Sequence, residues 1–164
     1  LLLREFYTPK DLAEQISSTN SDGVVTIQRA YAVEKNDFKR AGEVSSQIKK
    51  IMKQVGVRPD IIRRVSVAAY EAEMNIIIHS DGGSIEFILN PEIIELVILD
   101  RGPGIADIQL AMKEGYSTAS KDVRELGFGA GMGLPNMKRC SDEFVIESEV
   151  GKFTKLQIIF HQST

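Results

Sequence analysis

The stretch Asp100–Leu134, DRGPGIADIQLAMKEGYSTASKDVRELGFGAGMGL, decides how the rest of the chain is read. It opens with a carboxylate and two glycines at the end of an apolar run, crosses a polar segment, and closes on alternating glycines before a new helix. Gly102 and Gly104 carry no Cβ, so the backbone there can turn sharply and lie flat against a planar ligand. Asp100 adds a carboxylate at the strand's carboxyl end. Gly127, Gly129, Gly131 and Gly133 leave a run of unobstructed N–H groups ahead of a helix expected from Leu134, where the N–H groups and the macrodipole both favour phosphate. Neither G-x-x-x-x-G-K-[ST] nor G-x-G-x-x-G fits GFGAGMG, which disfavours a Walker loop, a dinucleotide fingerprint and the eukaryotic protein-kinase loop. What is left is a nucleotide site built without a P-loop.

Working upstream, the strand IIELVILD delivers Asp100 and follows the strand SIEFILN and a turn at Asp81–Gly83. Before these, Pro59 opens the helix PDIIRRVSVAAYEAEMNIIIHS, apolar over most of its circumference and therefore expected at the centre of the fold. Glu71 and Asn75 lie four residues apart on one face of it. A carboxylate and an amide in so oily a helix are costly unless a ligand, a metal or a hydrogen bond meets them. Glu73 points elsewhere and is expected in solvent, while His79, a turn beyond Asn75, is expected to pack or cap. Asn36 or Asp37 is expected to cap a helix reaching Val55, with a stripe of Phe38, Ala41, Val44, Ile48, Ile51 and Met52, ended by Gly56. Val24–Val33 reads as a strand with one clearly apolar face, hence near a sheet edge. Thr8–Ile16 reads as a short helix with Pro9 in its first position, broken by SSTNSDG.

Downstream of Asp100, Asp107 can cap a short helix through Met112 that Gly115 ends. The polar tract Tyr116–Leu126, set between two glycine boxes, reads as a mobile lid. The helix LPNMKRC and the strands DEFVIESE and KFTKLQIIF, joined at Val150–Gly151, complete the chain.

At 164 residues and 43% hydrophobic content, one domain with a continuous core is expected. A net charge of -3 argues against sequence-independent nucleic-acid binding, and the apolar runs are too short to cross a bilayer. The opening LLL meets Arg4 and Glu5 at once, unlike a signal peptide. A lone cysteine, Cys140, excludes an internal disulfide framework and suits a reducing cytoplasm, where it reads as a half-buried helix residue.

E-A-E-M-N at 71–75, D-R-G-P-G at 100–104, G-F-G-A-G-M-G-L at 127–134 and G-K-F-T at 151–154 resemble, in order, the boxes shared by gyrases, histidine kinases and mismatch-repair ATPases. Within that superfamily, EGYSTAS and GLPNMKRCSDEFVIES look most like the bacterial anti-sigma-factor serine/threonine kinases of the switch type. The resemblance runs over residues 24–160, so residues 1–20 are taken as an N-terminal extension and 21–164 as an ATP-binding kinase domain. It implies an α/β sandwich, with a mixed, mainly antiparallel sheet and helices packed on one face.

The resemblance also implies roles, with ATP and Mg²⁺ as cofactors. Asp100 would accept the adenine amino group, with Thr154 supporting it through water; Asn75 would be the Mg²⁺ ligand and Glu71 the general base. Gly129, Gly131 and Gly133 match the phosphate-cradling glycines. Gly127 and Leu134 flank them, and Gly102 and Gly104 lie beside the base. Arg124 and Lys121 in the lid are candidates for a cation at the γ-phosphate. The implied activity is transfer of the ATP γ-phosphoryl group to a STAS-domain partner. The alternative is a non-catalytic binding switch that grips a sigma factor, a phosphatase or a scaffold. A homodimer is compatible with either. A histidine-kinase catalytic domain is disfavoured, because neither His79 nor His161 lies on a preceding dimerisation helix.

Overall fold

Alternating apolar residues along the strands create one oily face, and the computed structural model, which describes residues 16–19 and 23–163, shows what covers it. Six strands, β1 (Ile16–Thr19), β2 (Val25–Val33), β3 (Gly83–Leu89), β4 (Ile93–Arg101), β5 (Glu143–Glu149) and β6 (Phe153–His161), form one sheet in the order β1-β2-β3-β4-β6-β5. Every pairing among the described residues is antiparallel. Ile85, Phe87, Ile94, Leu96, Ile98, Leu156, Ile158 and Phe160 point to the same side and are buried. Over them lies α2 (Pro59–His79), whose Val65, Ala68, Ala69, Ala72 and Ile76 are fully buried. The helices α1 (Glu43–Gln54) and α5 (Gly133–Cys140) flank α2, which makes this an α/β sandwich with its main helices on one face. The opposite sheet face is held by cross-strand polar pairs, Gln28 with Glu86 and Gln157 with Glu95.

The short connections follow their local chemistry. Asp107 accepts a hydrogen bond from Leu110 N at 2.9 Å and caps α3 (Ile108–Ala111), and Ser120 caps α4 (Lys121–Glu125), a short helix inside the lid tract. Among the described residues no helix is long and apolar enough to cross a membrane.

Three sequence expectations change. The short helix expected from Thr8 lies outside the described residues except for Ile16, which is the first residue of β1; Ser17–Thr19 continue that strand, where the sequence read a break. The strand β2 lies near the sheet edge, as its single apolar face suggested, with only β1 pairing outside it. The helix expected from Asn36 begins only at Glu43, since Asn36 (φ 60°) and Gly42 (φ 88°) are in the left-handed region, which an α-helix cannot include.

The third change concerns Glu73, which is 2% exposed instead of solvated. Gly42 provides no side chain to cap α1, and Glu73 reaches across from α2 to accept from Val44 N and Ser45 N, both at 3.3 Å. The helix N-terminus needs such an acceptor and its dipole favours a carboxylate. Burial pushes the Glu73 carboxyl above the usual range, and the N–H groups of Val44, Ser45 and Gly42 pull it back.

Candidate functional site

The ends of β4 and β6, the last turns of α2, the loop at 103–107, the lid and the glycine run line a cavity of about 730 Å³, within the range of small-molecule sites. Asp100 lines it, directly opposite Thr154 in the β4–β6 register. Burial raises the Asp100 carboxyl to about 6, against the Thr154 backbone N–H that lowers it, and the Asp81 charge adds to the rise. Ser148, opposite Thr154 on β5, donates to Phe153 O at 2.8 Å and accepts from Ile105 N at 2.8 Å. Its one proton is therefore taken, so at 3.0 Å the Thr154 hydroxyl is the donor to Ser148 Oγ and keeps its own lone pairs free. Asp100 and Thr154 thus form an acceptor pair suited to a donor such as an exocyclic amine. Gly104 (φ 65°) lines the wall, where a Cβ would come within 2.3 Å of Glu149 O; Gly102 lies behind the wall, against Ser80.

Glu71 and Asn75 also face the cavity, from successive turns of α2, with α5 packed beside that helix. Gly133, the first residue of α5, stands directly over both. A Cβ on it would lie 2.9 Å from Asn75 Oδ1 and 3.5 Å from Glu71 Oε2. Glu71 Oε1 accepts from Asn136 Nδ2 at 2.9 Å. Gly127, Gly129 and Gly131 have φ of 88°, 73° and 76°, and Met132 after them is right-handed. Left-handed residues recurring at every second position turn successive N–H groups to one side, as in an anion-binding nest. Gly133 is not left-handed, so its task is to leave room. Leu134 lines the wall and packs on the core.

The lid is fastened at its root, where Gly115 N donates to Gly131 O at 2.9 Å; a Cβ on Gly131 would meet Gly115 C at 2.5 Å. Further along, Thr118 Oγ1 lies 3.3 Å from His79 Nδ1. His79 is therefore on the cavity wall rather than only packing, and burial lowers its pKa. Phe128, between two of the glycines, stacks on Phe38 with ring centroids 5.4 Å apart. Arg124 donates to Ser117 O at 2.8 Å and Lys121 lies 3.7 Å from Glu125 Oε1, and neither lines the cavity. Among the described residues on its wall there is no lysine or arginine.

The residues present fit a magnesium nucleotide. Among the described residues no group of three or more His, Cys, Asp or Glu could cage a metal. A hard cation here would take the Asn75 carbonyl oxygen, which Gly133 leaves uncovered, and phosphate and water oxygens for the rest. Sequence reasoning missed Ser148 and Asn136. Ser148 was within reach, because a hairpin turning at Val150–Gly151 sets it across from Thr154. Asn136 was not, because it meets Glu71 only through the packing of α5 on α2.

Residues 35–160 match the family described as histidine kinase-like ATPase domain. The serine/threonine-protein kinase RsbT of Bacillus subtilis is 32% identical over 113 residues, spanning 66% of this chain and 79% of that protein. The anti-sigma F factor of Clostridium beijerinckii is 31% identical over 144 residues, 84% of this chain and 94% of the relative. Among solved structures, a chain of the SiaB–SiaC complex from Pseudomonas aeruginosa superposes with a TM-score of 0.51 at 13% identity, covering 80% of this chain and 88% of that one, which is likeness of fold.

Proposed function

The chain belongs to the histidine kinase-like ATPase domain family, within its anti-sigma-type serine/threonine kinases, and from that premise we propose that it transfers the γ-phosphoryl group of ATP to a Ser or Thr of a STAS-domain protein in a bacterial partner-switching pathway. One observation carries the reading. Glu71 Oε2 and Asn75 Oδ1 converge under Gly133 on the cavity wall, leaving a proton acceptor and a cation ligand open side by side. In this reading Asp100 and Thr154 hold the adenine edge, and the left-handed glycines 127, 129 and 131 present N–H groups to the phosphates. Asn75 would hold Mg²⁺, which when bound supplies charge neutralisation that the cavity wall, without Lys or Arg, does not. Glu71 takes the proton of the partner's hydroxyl as that oxygen bonds to the γ-phosphorus and the bond from phosphorus to ADP breaks.

The name anti-sigma F factor, carried by the Clostridium relative, favours a second role, a nucleotide-dependent grip on a sigma factor. Incubation with ATP and STAS-domain proteins of the same genome, followed by mass spectrometry, separates the two. Glu71→Gln keeps size but cannot take the proton, so transfer should fall by about 10²- to 10⁴-fold with ATP affinity nearly unchanged. Asn75→Ala should weaken both affinity and rate. An unmodified Ser or Thr in a confirmed nucleotide-dependent complex with the wild type would refute transfer to that partner and leave the grip.

A further inference from the structure

A hydrogen-bonded line runs from the root of the lid to Glu71. Glu114, which immediately precedes the lid's anchoring Gly115, pairs with Arg139 on α5. Arg139 donates from its other terminal nitrogen to Asn136 Oδ1 at 3.4 Å, and Asn136 donates from Nδ2 to Glu71 Oε1 at 2.9 Å. From this geometry, and resting on the reading of Glu71 as proton acceptor, we infer that Asn136 is a positioning residue for Glu71 and that Arg139, held by Glu114, fixes which way the Asn136 amide faces.

The chemistry admits one arrangement. An Asn amide has one donor end and one acceptor end, and the guanidinium can only donate. Arg139 therefore takes the carbonyl end and leaves the NH₂ end for the carboxylate. The flipped amide would set its oxygen against Glu71 Oε1 and its NH₂ against Arg139, which is unfavourable at both ends. With Oε1 occupied by Asn136, the carboxylate cannot rotate freely about its own bond. Oε2 is kept on the side of Gly133 and Asn75, where the acceptor hydroxyl has to arrive. Asn136 is half-buried on α5, so its partner is not easily replaced by water. The Glu114–Arg139 pair is exposed, about 60% for each side chain, so its own contribution is small; its effect is directional.

A double-mutant cycle tests this, using single-turnover transfer from γ-labelled ATP to a STAS-domain protein of the same genome. Asn136→Asp keeps the shape, removes the donor and places like charges together. Asn136→Ala removes the donor alone. Both should lower the transfer rate by on the order of 10- to 100-fold with the Kd for ATP unchanged. Arg139→Ala should lower it by about 2- to 3-fold, since a long bond at an exposed site is weak. In a Glu71→Gln background, Asn136→Ala should cost nothing further, because a group that acts only through another loses its effect when that other is gone. A purely structural role for Asn136 would give an additive loss in that background. Additive loss, or wild-type transfer by Asn136→Asp, overturns the inference while the function assigned to Glu71 stands. If Glu71→Gln itself leaves transfer intact, that assignment falls and takes the positioning role with it.

Discussion

Gly133→Ala should separate the stability of the fold from its capacity for nucleotide. Gly133 has no left-handed φ, so alanine is sterically permitted by the backbone, and as the first residue of α5 it gains helix propensity worth up to about 1 kcal/mol. The added methyl, however, would sit 2.9 Å from Asn75 Oδ1 and 3.5 Å from Glu71 Oε2. The first distance is too short for a carbon–oxygen contact, and Asn75 is a flexible side chain, so it is Asn75 that yields. The protein folds, and the open face of its amide oxygen is covered or turned away. Saturation at a hundred times the Kd stabilises a fold by about 2.7 kcal/mol, which at this size is a rise of roughly 5–11 °C in Tm. Thermal unfolding with and without Mg²⁺–ATP should show an apo Tm for Gly133→Ala within about 2 °C of wild type, with less than half of the wild-type shift on adding nucleotide. Gly127→Ala is the opposite case: nothing lies within 4 Å of its Cβ position but φ is 88°. It should therefore lose about 1 kcal/mol of stability to backbone strain and keep more of its ligand shift. A full nucleotide shift in Gly133→Ala would refute the claim that this glycine exists to leave Asn75 and Glu71 uncovered.

Glu73→Ala leaves the N–H groups of Val44 and Ser45 without acceptors at a buried helix end, and should cost about 2–3 kcal/mol in denaturant unfolding, with Mg²⁺–ATP still raising Tm; a loss below about 0.5 kcal/mol would mean water replaces the carboxylate. Asp100 has its folded-state value raised from 3.8 to about 6, so the folded state holds the proton more tightly than the unfolded chain, and the stability it contributes is present below pH 4 and is lost as pH rises through 6. The apo protein should therefore show this loss between about pH 4 and 6, and Asp100→Asn should remove that part of the profile; identical pH profiles for the two would place the titration elsewhere. If the ionised carboxylate is what accepts the adenine amine, ATP affinity should instead weaken as pH falls below 6, measurable by calorimetry.

The sequence by itself determined whatever depends on neighbours along the chain. The alternation in IIELVILD and KFTKLQIIF set the faces of β4 and β6, Pro59 set the start of α2, and helical spacing put Glu71 and Asn75 on one face. The glycines at 127, 129 and 131 were legible because a left-handed φ selects glycine locally. Contacts between distant elements left no such signal. Glu73 reads as one more surface glutamate until α1 is seen to end on it without a cap of its own. Gly133 looks like the fourth member of a repeat, yet it does a different job, fixed by how closely α5 approaches α2. Lys121 and Arg124 carry the charge expected of a phosphate partner, but in the structure they point to Glu125 and Ser117, both within their own segment. Asn136 and Glu71 are 65 residues apart and meet only because α5 packs beside α2. Periodicity reports which face of an element is apolar; it carries no information about which polar atom on the next element will come within hydrogen-bonding distance, and that is settled by packing alone.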